Sequence, residues 1–308
     1  DKIWVAKGTY IPTSDYGLRG HYLNKLKHFR MKNGVSIYGG FAGNEADTFD
    51  INDRDLAANE TILSGDLLGN DTPGFGPDNF RDDPNREDNS YRVFYHPKGL
   101  SLNPTAVLDG FTITGSYKNG MYNDNSSPTV TRCLFINNWG GDMGRRDGIC
   151  GGGMVNCNSS PIVTRCSFVN NFGKEGGGMN NYNSNSNPTV KNCEFSGNVA
   201  SNGGGISNRD SNPTISNSTF TGNWARMNGG GMANKDSSPI VTNCTFSGNV
   251  ARTGGGMYNC GTGNSDDRDN DEVSQIVTNC VFTGNSAEEY GGGMANFCIR
   301  PIPFNSII

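Results

Sequence analysis

Six ionisable residues crowd into a short reach of this chain. Asp142, Arg145, Arg146 and Asp147 stand in WGGDMGRRDGIC, residues 139–150, and Lys174 and Glu175 follow in NFGKEGGG. Paired carboxylates are the equipment of glycoside hydrolysis: ~5.5 Å apart they support retention, and ~6.5–9.5 Å apart inversion. Glu175 is the first candidate, with Asp147 or Asp142 as its partner. The carboxylate nearer a cation stays ionised, and one raised by burial serves as the acid. Three aromatic residues accompany the cluster. Trp139, Phe172 and Trp224 each follow the Asn of an FxxN motif, and a row of exposed rings offers apolar platforms for sugar rings. Further on, Asp267, Asp269 and Asp271 in GTGNSDDRDNDEVS, residues 261–274, follow the D-x-D-x-D spacing of a calcium loop, with Glu272 where such a loop takes Gly. No cofactor is required by these motifs; calcium is the one they admit.

For positions some thirty residues apart to meet, the chain must return on itself at a fixed interval, and it does. Aligned on the residue after the Gly run, the units fall at Met121, Met154, Met179, Ile206, Met232, Met257 and Met294, in steps of 33, 25, 27, 26, 25 and 37. A period near 25 is one coil of a solenoid. Within each coil the columns are constant. Cys133, Cys166, Cys193, Ser218, Cys244 and Cys280 form one; Phe135, Phe168, Phe195, Phe220, Phe246 and Phe282 form the next. Two Asn columns follow, one from Asn138 to Asn285 and one from Asn123 to Asn296. Short β-type words such as PIVT and CTF alternate with Gly and Asn, and nothing helical intervenes. The expectation is an all-β, right-handed parallel β-helix of ~9–10 coils, each ~4.8 Å above the last, with Phe, Cys and Met inside. The Asn ladders are expected at the bends, where Asn tolerates left-handed backbone and its amide reaches the coil above. A propeller or sandwich would need antiparallel hairpins with Asn-Gly turns at strand spacing, which this grammar lacks.

The once-per-coil pairing of FSGN or FTGN with GGGM resembles the repeat of chlamydial polymorphic outer membrane proteins, which carry FxxN and GGA[IL]. It is also similar to the wider right-handed parallel β-helix group that includes pectate lyases. The resemblance covers roughly residues 108–296, with Met in place of the usual small aliphatic word. It implies a right-handed β-helix and placement outside the cell or on its surface. It also frames a lyase variant of the chemistry, in which Arg145, Arg146 or Lys174 is the base and a cation on Asp142 or Asp147 neutralises a uronate. No catalytic motif of that group matches residue by residue. A repeat of this kind is a folding grammar, and function lives in what departs from it.

The 308 residues read as a single β-helix domain: irregular coils at 1–107 with an acidic loop at 67–91, regular repeats at 108–296, and an atypical or truncated end at 297–308. The net charge of −5 with no basic block argues against a nucleic-acid partner. No stretch approaches the ~20 apolar residues of a membrane helix, and no signal peptide is seen, so the chain reads as a mature or excised piece. Of nine cysteines, five sit in the ladder as small apolar residues. Cys260 and Cys298, on consecutive coils, are spaced for a disulfide if the chain is secreted. The partner expected is a polysaccharide or cell-surface glycan. Two functions stay open: a polysaccharide-cleaving enzyme, hydrolase or lyase, and a non-catalytic surface or adhesion module whose charged loops are merely solvated. A weaker acidic cluster, Glu288 and Glu289 beside Tyr290, lies about four coils from the first.

Overall fold

Every coil spends its apolar residues at alternate positions of very short strands, so one side of each strand faces inward. In the computed structural model, which describes residues 1–18, 23–72, 83–141, 151–261, 275–297 and 305–307, these strands stack into three sheets of 18, 6 and 8 strands. The pairings between coils are parallel. The described residues contain no α-helix, only short 3-10 turns such as Ile51–Asp53 and Pro84–Asp88. The expected parallel β-helix is therefore the fold.

One coil shows the plan. Thr189–Lys191 and Glu194–Ser196 belong to the first sheet, Val199–Asn202 to the second, and Ile206–Arg209 to the third. The equivalent residues of the next coil lie in strict register, Phe195 opposite Phe220 and Asn208 opposite Asn234. The irregular N-terminal third joins the same stack: Lys2–Ala6 pairs with Ser36–Phe41, which pairs with Val107–Asp109.

Register makes ladders, and the ladders are the core. The rings of Phe135, Phe168, Phe195, Phe220, Phe246 and Phe282 stack nearly parallel, with centroids 4.5–4.9 Å apart. Met121, Met154, Met179, Ile206, Met232 and Met257 are fully buried beside them, as are the ladder cysteines, almost completely. The Gly runs mark the tightest approach between coils. An ideal Cβ on Gly204 would sit 2.5 Å from the Gly230 carbonyl oxygen, so no side chain fits there.

The first Asn ladder is saturated. Asn198 Nδ2 donates to Asn223 Oδ1 at 3.0 Å and to the Phe168 carbonyl at 2.8 Å, while its own Oδ1 accepts from the backbone and side-chain nitrogens of Asn171, each at 3.0 Å. One part of the expectation needs correction. The left-handed backbone belongs to the residue before the ladder: Asn137 and Asn170 in two coils, Gly197, Gly222 and Gly248 in the next three. The ladder Asn itself works through its amide alone.

Candidate functional site

The second and third sheets meet at the Gly corner, and the corner is concave on its outer side. A cleft of about 250 Å³ opens there, lined by residues of four successive coils. Its floor comes from strand positions that point outward between the buried Met and Asn rungs: Ser207, Ala233 and Tyr258 in one column, Arg209, Lys235 and Cys260 in another. The opposite wall is the residue just before each Gly run. Glu175, Asn202 and Asn228 hold that place in successive coils, joined by parallel bridges.

Glu175 is the chemical centre of this cleft. Oε1 accepts from Asn202 Nδ2 at 3.2 Å, and Oε2 accepts from Ser207 Oγ at 3.3 Å. Arg209 brings a guanidinium nitrogen to 3.7 Å of Oε1. Asn202 in turn accepts from Asn228 Nδ2 at 2.9 Å. The carboxylate is thus fixed by two hydrogen bonds and one cation, with its side chain only 16% exposed. Exposed Lys235 stands one rung beyond Arg209 on the third sheet. Among the described lining residues Glu175 is the one acid.

The sequence cluster is distributed as follows. Lys174 lies beside Glu175, half-buried, and its carbonyl accepts from Ser201 N at 3.0 Å; it does not line the cleft. Asp142, Arg145, Arg146 and Asp147 lie outside the described residues, as do Asp267, Asp269 and Asp271 and Cys298. Among the described residues no group of three metal-ligating side chains converges.

The aromatic row is real as a column and corrected as a platform. Trp139 pairs with Phe172, Phe172 with Val199, and Val199 with Trp224. Trp139, however, is buried, 6% exposed, because Tyr117 packs edge-on against it at 4.7 Å and Lys25 covers the Tyr117 ring at 4.3 Å. Phe172 is half-buried, and Trp224 alone is open to solvent. An outward position is exposed only where no other segment covers it.

Ser207, Arg209, Asn202, Asn228, Lys235 and Tyr258 escaped the sequence reading. Their signal was positional: the fourth residue before the Met, and the first and third after it, are the free positions of the third-sheet corner. On the same face, Cys157 lies in register with Tyr182, whose hydroxyl meets that of Tyr122 at 3.0 Å. Burial pushes the Cys157 thiol and both phenols up, so this group stays protonated and supplies no nucleophile or base at neutral pH. His28 and His96 are likewise buried, and burial pushes both pKa values down.

Among known proteins, the model of the Chlamydia polymorphic membrane protein repeat matches residues 192–209. That stretch lies within one coil, NCEFSGNVASNGGGISNR, and it contains a Phe and an Asn rung, a Gly run, Asn202 and Arg209. No curated protein and no solved structure matches the chain. The single-coil match speaks for the repeat and its ladders. No helix among the described residues is long and apolar enough to cross a membrane.

Proposed function

We propose that this chain is an extracellular, carbohydrate-directed β-helix protein that holds a polysaccharide or cell-surface glycan in the cleft at Glu175. The observation that carries the reading is a carboxylate fixed by Asn202, Ser207 and Arg209 in an open corner that also offers Lys235 and Tyr258. Sugars need this mixture: oriented acceptors and donors for hydroxyls, and a ring face for the C–H surface. The two cations on consecutive rungs favour a glycan bearing acidic groups. The one-coil match to a membrane-protein repeat favours display at a cell surface.

Cleavage is the second reading, and the fixed state of Glu175 is what favours it. Arg209 and two hydrogen-bond donors hold its oxygens in one orientation, as a catalytic carboxylate requires. Hydrolysis also needs a second carboxyl within ~5–9.5 Å, and Asp142 and Asp147 are the candidates for it. One experiment separates the readings. The protein is run against neutral, uronate-bearing and sulfated polysaccharides in affinity gels, while reducing ends and unsaturated ends are followed in solution. Retardation by an acidic polysaccharide without product is the expected result. Reducing ends that vanish in Glu175→Gln establish a hydrolase, and unsaturated ends a lyase. No retardation by any polysaccharide, with the fold intact, overturns the carbohydrate reading.

A further inference from the structure

The wall residue before the Gly run continues beyond the cleft. After Glu175, Asn202 and Asn228 the same column runs to Thr253 and then Tyr290, each in register with the last. The floor columns continue too, from Lys235 through Cys260 to Phe297 and from Ala233 through Tyr258 to Ala295. At this end the corner changes chemistry. Phe297 lies 5.6 Å from the Tyr258 ring and 6.1 Å from the Tyr290 ring, so three rings from both walls gather there. Two of them are open to water, Tyr290 at 62% and Phe297 at 37% exposed, and Tyr258 is half-buried. Two adjoining exposed rings backed by a third are uncommon on a protein surface unless something covers them.

We propose that the glycan lies along the solenoid axis with one sugar ring per coil, from a polar end at Glu175 to an aromatic end at Tyr258, Tyr290 and Phe297. This rests on the carbohydrate reading above and adds its direction, its length and a second contact region. The coil rise read from the stacked Phe rings, 4.5–4.9 Å, is close to the length of one pyranose unit. Four rises separate Glu175 from Tyr290, about 19 Å of groove. The wall between them presents amides. Asn202 uses one N–H toward Glu175 and one lone pair toward Asn228, leaving a second N–H and lone pair for sugar hydroxyls. The end of the groove presents ring faces, which match the C–H face of a pyranose and the stacking of its ring. A peptide strand is the poorer occupant. The strands cross this groove at right angles to its length, and along the groove their backbone groups are already paired between coils; the terminal strands Ser286–Tyr290 and Met294–Phe297 leave an edge only at the groove's far end, so a peptide could not add as a strand along its length.

The test uses the full chain and cello-, chito- and galacturonate-oligosaccharides of two to six units, with dissociation constants read by calorimetry. In at least one series affinity is expected to rise up to four or five units and then level off. Tyr290→Ala and Phe297→Ala should each weaken the longest oligomer about tenfold, the loss of one stacked ring face, while leaving the dimer unchanged. Tyr290→Phe should retain affinity within about twofold, and Ile162→Ala, on the outer face of the first sheet, should change nothing. Circular dichroism and melting check that each variant folds. If a series binds but shows no length dependence beyond two units, or Tyr290→Ala is silent, the axial placement falls and the cleft reading stands. If no series and no parent polymer binds, both fall.

Discussion

Acidification should loosen this solenoid most through His96, with His28, whose pKa burial also lowers, adding in the same direction. Its ring occupies the first rung of the second Asn ladder, in register with Asn123, and is 0% exposed. Asn123 spends its N–H on Asn156 at 2.9 Å, so its Oδ1 faces His96, whose Nδ1–H donates at 2.7 Å. Nε2 then accepts from Met31 N at 3.4 Å. The neutral ring satisfies both partners, and the cation would not. Burial pushes the pKa down from 6.5 to about 4. Between those values the unfolded chain takes up a proton that the native chain refuses. The contribution is therefore complete above pH 6.5, falls as pH drops through the window, and is gone below pH 4. A gap of two and a half units corresponds to roughly 3 kcal/mol. Asp71 works against it: burial raises its pKa to about 6 despite Arg86 at 3.0 Å, so its share is present at low pH and lost as pH climbs through 6. The assay is therefore the urea midpoint at pH 7, 5.5 and 4 in Asp71→Asn, where the histidine slope is uncovered, and in Asp71→Asn with His96→Gln, where the slope should shrink to the share left by His28. Equal slopes in the two proteins would refute the assignment.

Other perturbations test other parts of the structure. Asn198→Ala removes two donors and an oxygen that accepts twice inside a saturated ladder; a loss of about 2–4 kcal/mol is expected in urea unfolding. Phe195→Ala opens a gap between rings 4.8 and 4.9 Å away and should cost about 3–5 kcal/mol, seen as a lower melting temperature. Gly204→Ala drives a Cβ to 2.5 Å of one backbone oxygen and 2.6 Å of another; neither can retreat without moving a coil, so the cost should exceed the ~1–3 kcal/mol of ordinary overpacking and show as lost soluble yield. Arg209→Ala with Lys235→Ala should leave melting nearly unchanged and should abolish the salt sensitivity of acidic-glycan retardation.

The fold was legible because one physical demand repeats. Each coil must stack on its neighbour, so Phe, Met and Asn recur at fixed offsets, and those columns are the ladders observed. The left-handed residue was legible too, although it was assigned to the wrong Asn. In INN and VNN the residue before the rung is Asn, and in SGN and TGN it is Gly. Only a position that needs positive φ exchanges those two. Trp139 was not legible, since its burial depends on Tyr117, the residue that precedes it in the same column one coil earlier and whose ring turns edge-on against it. Alternation along a strand says which way a side chain points and nothing about what lies on top of it. Glu175 stood out by charge, whereas its partners did not, because Asn202 and Ser207 look like ordinary members of an Asn- and Ser-rich repeat.

The placement of Glu175 joins the folding ladders to the site. Asn202 and Asn228 fill the same column and form a short amide ladder in which each side-chain N–H donates toward the preceding coil. An amide at 175 would continue that ladder as one more structural rung. A carboxylate accepts the donated N–H as well as an amide does, but it has no N–H to pass on, so the ladder ends there and a negative charge is left at the corner. That charge then recruits Ser207 and Arg209 from the facing strand. One departure from the repeat, at a position the stacking already orients, therefore yields an oriented charged group with no extra loop or insertion. The same reasoning explains why the aromatic end lies where it does. Tyr290 takes the place of that column in the coil after Thr253, and its ring faces outward because the Gly corner leaves no room inside.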